Sequence, residues 1–178
     1  MPALMPLAKA WGFFIFGVLM IGYGLVSHAQ VKHFAQAVCD VLGRGEQNSA
    51  VYLLCETAAA ETQYGTYSDP TPNGAGRGLM QCDQLPFKDT VSRASKKDID
   101  AIKAAFDIDL KIVEWDDLNY SPLLAMIIAR LHYKLRPGAV PQSLKGRAEY
   151  WKQHYNTVLG KGTVGHYIES ARKFGIYY

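Results

Sequence analysis

Glu61 closes an almost wholly apolar run, Val51 to Ala60. Such surroundings disfavour an ionised carboxylate, so Glu61 is expected to keep its proton to higher pH than a solvated glutamate. A proton held near neutral pH is what a general acid needs. The ordinary alternative is a glutamate at a frayed helix end, in water. A polar loop follows, with the turn-rich stretch Ser68 to Gly74, and after it comes Arg77-Gly78-Leu79-Met80-Gln81-Cys82-Asp83. Glu56 is the rival acid. Five residues along a helix is about 140° of rotation, so Glu56 and Glu61 cannot both face one cleft. Glu61 is read as the acid. Glu56 is read as a buried carboxylate, paired with Arg or Lys from another helix or hydrogen-bonded to backbone.

Other chemistries find less support. The three cysteines, Cys39, Cys55 and Cys82, form no C-x-x-C pair, and the five histidines show no ligand spacing. A zinc site is therefore rejected, and neither a metal nor a cofactor is expected. Cys55 and Cys82 flank the two halves of the proposed site, as a bridge or as packed thiols. A Cys-His hydrolase built on Cys82 would rest on residue types alone.

Gly76-Arg77-Gly78-Leu79-Met80-Gln81, entered through a Gly-rich loop after Glu61-Thr62 and well before Tyr155-Asn156, resembles the soluble lytic transglycosylases and goose-type lysozymes, although the loop is longer than is typical of them. Those proteins carry a Glu-Ser pair, a loop, a Gly-Leu-Met/Phe-Gln segment and a late Tyr-Asn pair. Thr62 stands here in place of the usual Ser. The likeness runs from about Val51 to Phe174, with its identities concentrated in those three places. The middle of the chain also resembles peptidoglycan-degrading proteins of tailed-phage particles. The resemblance implies that Glu61 protonates the glycosidic oxygen and then takes the proton from the muramic 6-hydroxyl, closing an anhydro ring. It implies a sugar site made by Thr62, Gly78, Leu79, Met80 and Gln81, with Tyr155 orienting the acid or the substrate and Asn156 supporting a loop. Tyr64 and Tyr67, in the loop, are expected sugar platforms; Trp115 and Trp151 are weaker candidates, since aromatics at helical spacing are usually core. A hydrolytic muramidase would want a second carboxylate. Asp69 and Asp83 are available, although a turn residue and a helix cap are their commoner roles. The competing class is an inactive lysozyme-like module that binds glycan or forms part of a membrane-spanning conduit.

The elements that must position these residues read as mainly α, in the α+β manner of lysozyme-like domains, with a small β-element beside the cleft. The 178 residues suit one domain with an appendage, and a formal net charge of +3 is too small to imply nucleic acid. Peptidoglycan strands, a membrane and other virion or envelope proteins are the expected partners. Residues 1–29 form the appendage and 30–178 the catalytic domain. Ala10 to Ser27 contains no charged residue and is long enough to cross a bilayer as a helix, with Gly12, Gly17, Gly22 and Gly24 suited to packing in lipid. The competing reading is an uncleaved secretory signal, with Ser27-His28-Ala29 as a small-x-small site. Either reading addresses the chain to a membrane, its domain facing the periplasm or wall. A phage virion protein fits this, and a cellular envelope enzyme is the runner-up.

Helical periodicity predicts helices over Gln30 to Gly45, from Asn48 or Ser49 through Glu61, from Gln84 to Ser95, and over Lys96 to Phe106 with Ser95 as cap. Ser121-Pro122 opens another apolar helix, stopped by Pro137-Gly138. Glu149 to Asn156 lies in one more, and Thr163 caps Val164 to Phe174. Gly76 to Gln81 is read as a short strand or extended turn with Leu79 and Gln81 facing the same way.

Overall fold

Helix α2 (Ser49–Thr62) is the axis on which the other elements pack, and every residue in it except Tyr52 and Glu61 is buried. A helix that is apolar all round must be surrounded. Helices α1 (Ala29–Leu42), α5 (Pro122–Lys134) and α7 (Val164–Lys173) surround it, and α6 (Leu144–Trp151) also touches it. This computed structural model describes residues 21–67, 74, 76–157 and 160–175. Within them the chain is mainly helical, with one two-stranded sheet.

The caps follow the sequence closely at three helices. Ser95 accepts from the Asp98 N–H ahead of α4 (Lys96–Phe106), Ser121 from Leu124, and Thr163 from His166. Each satisfies one of the donors that a helix start leaves unpaired. The start of α2 departs from this rule. Asn48 occupies the cap position at φ 60° and makes no side-chain cap bond. The end of α1 is closed by Gly43, at φ 98°, and by Arg130 of α5, whose Nε and Nη2 donate to the Gly43 carbonyl at 3.1 and 2.9 Å. A guanidinium at a helix C-terminus satisfies orphan carbonyls and favours the dipole.

The segment read as a short strand or extended turn is half of each, a strand that folds back in a tight hairpin. Strands β1 (Gly76–Arg77) and β2 (Cys82–Asp83) pair antiparallel, Gly76 with Asp83 and Arg77 with Cys82. Gly78 to Gln81 make the turn, closed by the Gln81 N–H on the Gly78 carbonyl at 3.0 Å. Leu79 and Gln81 therefore part company: Leu79 is fully buried and Gln81 is left half-buried. Helix α3 (Gln84–Arg93) follows directly, and a 3-10 turn (Trp115–Asn119) backs the hairpin. Gly78 sits at φ 71° where a Cβ would overlap the Leu118 carbonyl oxygen, so the hairpin can approach that turn only with glycine here.

Residues 1–20, which hold most of the proposed span, lie outside the described residues, as do Asp69 and most of its loop. Ile21 to Ser27, its last part, is not helical. Gly22 and Leu25 form an antiparallel bridge around Tyr23 and Gly24, which have φ 51° and 83°. Two consecutive positive φ values are the signature of the tight turn that joins hairpin strands. Leu25 is fully buried in the core, and a Cβ on Gly22 would overlap the Gly65 carbonyl. Gly22 and Gly24 thus serve a turn seated on the domain, where the sequence reading had them facing other helices in lipid. Among the described residues no helix is long and apolar enough to cross a membrane. Cys39, Cys55 and Cys82 are all buried thiols without a bridge.

Candidate active site

Glu61 lies in the last turn of α2, where the helix leaves the core. Gln63, Tyr64 and Gly65 follow with φ of 48°, 57° and 80°, turning the chain sharply away. The turn is held by Thr62. Its hydroxyl lies 2.9 Å from the Leu79 carbonyl and 3.1 Å from that of Ala58, and it accepts from the Gly65 N–H at 3.1 Å. The helix end that carries the acid is thereby joined to the hairpin that carries Gln81.

Glu61 faces a cleft of about 590 Å³ that Tyr67, Gln81, Asp83, Tyr155 and Asn156 also line. The Trp151 indole N–H donates to Glu61 Oε1 at 2.9 Å. Burial raises the Glu61 carboxyl from its ordinary 4.5 to about 7; the Trp151 N–H works against this by stabilising the anion, and the negative Asp83 adds to it. The direction of the shift and its first cause, burial, are those expected from the apolar run before Glu61. Asp83, which caps no α3 N–H with its side chain, has its own carboxyl raised by partial burial.

The opposite wall comes from a helix that changes pitch. Helix α6 runs into a π-helical turn, Lys152–Asn156. In an α-helix the fifth residue after Trp151 would point about 140° away. The longer hydrogen-bonded ring of a π turn rotates less per residue, so Trp151, Tyr155 and Asn156 all reach the same cleft. The Tyr155 hydroxyl donates to the Met80 carbonyl at 2.7 Å, and burial raises its pKa well above the ordinary value. It is a neutral donor that ties the hairpin turn to this wall. Asn156 Oδ1 accepts from Lys152 Nζ at 2.7 Å, and Lys152 also donates to the Gly160 carbonyl at 2.9 Å. Asn156 thus braces the loop ahead of α7.

Several expected site residues stand elsewhere. Thr62 is fully buried and positions the hairpin without reaching the cleft. Gly78, Leu79 and Met80 contribute backbone geometry, the two side chains being fully buried. Tyr64 stacks on Phe174 with ring centroids 4.4 Å apart, away from the cleft, so of the two loop tyrosines only Tyr67 lines it. Trp115 is covered by the Arg77 guanidinium, 4.1 Å from its ring centroid. Glu56 is fully buried in a bidentate pair with Arg147, both bonds 2.7 Å, and accepts from the Tyr167 hydroxyl at 2.9 Å. That is the structural role read for it.

Three residues at or near the cleft gave no signal in the sequence. His166 donates from Nε2 to the Ala60 carbonyl at 2.9 Å, next to the acid. His132 is held neutral by burial, its pKa lowered to about 4. Tyr23, in the N-terminal turn, bonds to Gln81. No spacing rule could connect any of them to Glu61, because each arrives from a distant element. Among the described residues no cluster of His, Cys, Asp or Glu is arranged to hold a metal ion. No family model, curated protein or solved structure matches the chain.

Proposed function

We propose that this chain is a peptidoglycan-cleaving enzyme of lysozyme-like type, a lytic transglycosylase or muramidase that cuts the MurNAc-GlcNAc β-1,4 bond with Glu61 as general acid and then base. The observation that carries the reading is Glu61 itself: a carboxyl with a pKa of about 7, oriented by Trp151, in an open cleft. Such a group is protonated often enough at neutral pH to deliver a proton and basic enough to take one back. Gln81, Tyr67 and Tyr155 offer the polar and aromatic contacts that a sugar chain needs. The N-terminal segment would attach the enzyme to a membrane with its cleft towards the wall, as suits a virion protein that opens the host envelope.

Asp83 leaves room for hydrolysis, since it shares the cleft and could hold a water. Digestion of purified sacculi followed by mass spectrometry of the muropeptides separates the outcomes. Anhydro ends identify a transglycosylase and reducing ends a hydrolase. Intact sacculi after treatment with folded protein would reject both.

A further inference from the structure

Gln81 is held from a direction that its own hairpin does not supply. Its Nε2 donates to the Gly78 carbonyl at 2.9 Å and to the Tyr23 hydroxyl at 3.2 Å. That hydroxyl in turn donates to the Tyr67 carbonyl at 3.4 Å. The relay has a direction. A hydroxyl has one proton, and Tyr23 spends it on a carbonyl that can only accept. Its oxygen is then left to accept, and only the NH₂ end of Gln81 can supply the donor. Gly78 makes the same demand. Both amide protons of Gln81 are committed, and its carbonyl oxygen is the end left for a ligand.

Tyr23 reaches this place at a cost. It sits at φ 51°, a backbone region that costs a tyrosine on the order of 1 kcal/mol or more. The turn that holds it is closed by Ile21 N–H to the Leu25 carbonyl at 2.8 Å and Leu25 N–H to the Gly22 carbonyl at 2.9 Å, and it is pinned by fully buried Leu25. Strain maintained by so many contacts, beside a cleft, points to a use.

We infer that Tyr23 is a positioning residue of the cleft: it orients the Gln81 amide so that its oxygen accepts from an O–H or N–H of the bound glycan. The inference rests on the proposed glycan-cleaving reading for its effect on rate, though not for its effect on Gln81. The substrate group it selects is a donor, such as a sugar hydroxyl or an acetamido N–H.

The test uses the full-length chain carrying Tyr23→Phe, Gln81→Ala and the pair together. Phenylalanine keeps the ring and removes the hydroxyl. Tyr23→Phe is expected to lower kcat/KM on soluble peptidoglycan fragments about tenfold with an unchanged circular dichroism spectrum. In the Gln81→Ala background it should cost nothing further, because the group it orients is gone. Independently of turnover, the Gln81 side-chain amide resonance in a ¹⁵N spectrum should shift and its protons exchange faster in Tyr23→Phe. An equal loss in both backgrounds, or an unmoved Gln81 amide, overturns the inference. Should the wild-type chain leave peptidoglycan intact, the proposed function fails and the amide resonance alone decides the role of Tyr23.

Discussion

At neutral pH Glu61 stands near the midpoint of its own titration, and this has opposite consequences for activity and stability. The carboxyl titrates near 7 in the folded chain against 4.5 ordinarily, so the folded state binds more protons between those values. The stability linked to Glu61 is complete below pH 4.5 and declines as pH rises through about 7, by on the order of 3 kcal/mol in all. Glu61→Gln removes a group that must ionise in a poorly solvated place. It should cost at least two orders of magnitude in wall cleavage while raising the urea midpoint above wild type at pH 8, and the difference should vanish near pH 4.5. A variant that loses activity and also loses stability at pH 8 would mean that the carboxyl is structural. Wild-type activity should fall on the alkaline side through about pH 7, since the acid must start protonated. Trp151→Phe deletes the N–H that favours the anion, so the alkaline limb of the folded variant should move to higher pH. A limb that stays in place would detach Trp151 from the acid.

The end of α2 and the hairpin form one working element, and Thr62 is the joint. Thr62→Val keeps the shape and removes the hydroxyl, stranding the Leu79 carbonyl and the Gly65 N–H in the interior. The loss of stability should be about 1–3 kcal/mol per stranded group at most, and cleavage should fall further than the remaining folded fraction explains. Thr62→Ser, which keeps the hydroxyl, should act within a few-fold of wild type. Cleavage assays on both variants, normalised to folded protein, distinguish a joint from a packing residue. This joint was half legible in the sequence. The apolar run into Glu61, the Ser95, Ser121 and Thr163 caps and the burial of Glu56 follow from local rules, because each depends on neighbours a few residues away. The direction of Thr62 does not, since its partner is a backbone carbonyl seventeen positions on. The opposite fates of Leu79 and Gln81 were illegible for a related reason: a Gly-Leu-Met-Gln run carries too little alternation to reveal where a hairpin folds back. The π turn in the opposite wall leaves no composition signal at all, yet it brings Trp151, Tyr155 and Asn156 into one cleft.

Over the whole molecule, α2, α6 and α7 are joined by Glu56, Arg147 and Tyr167, none of which lines the cleft. Glu56→Gln leaves the Arg147 guanidinium buried against a neutral amide, which should cost about 3 kcal/mol or more in chemical denaturation. The folded fraction should retain cleavage within about tenfold. A dead but folded Glu56→Gln would transfer the acid's role. The N-terminal turn divides the chain differently from its hydropathy. Removal of residues 1–20 should leave a folded, active domain, whereas removal of 1–29 takes Tyr23 and the fully buried Leu25 with it. The longer deletion should lower the melting temperature by several degrees and reduce cleavage, because a buried leucine alone is worth about 2–5 kcal/mol. Equal stability of the two truncations would show the turn to be ornamental.

The same turn also determines where a mechanical load on the N-terminal segment is felt. A pull arriving at Ile21 meets no slack linker. Its first resistance is the pair of backbone bonds between Ile21, Gly22 and Leu25, and next the Tyr23 hydroxyl on Gln81 and the seat of Gly22 on Gly65. Helix α1, beyond the buried Leu25, is loaded only later. Tension too weak to unfold the domain would therefore open the turn, unseat Tyr23 and release the glutamine before α1 is loaded, so that a tethered molecule under strain would work more slowly while still folded and recover when the strain is relieved.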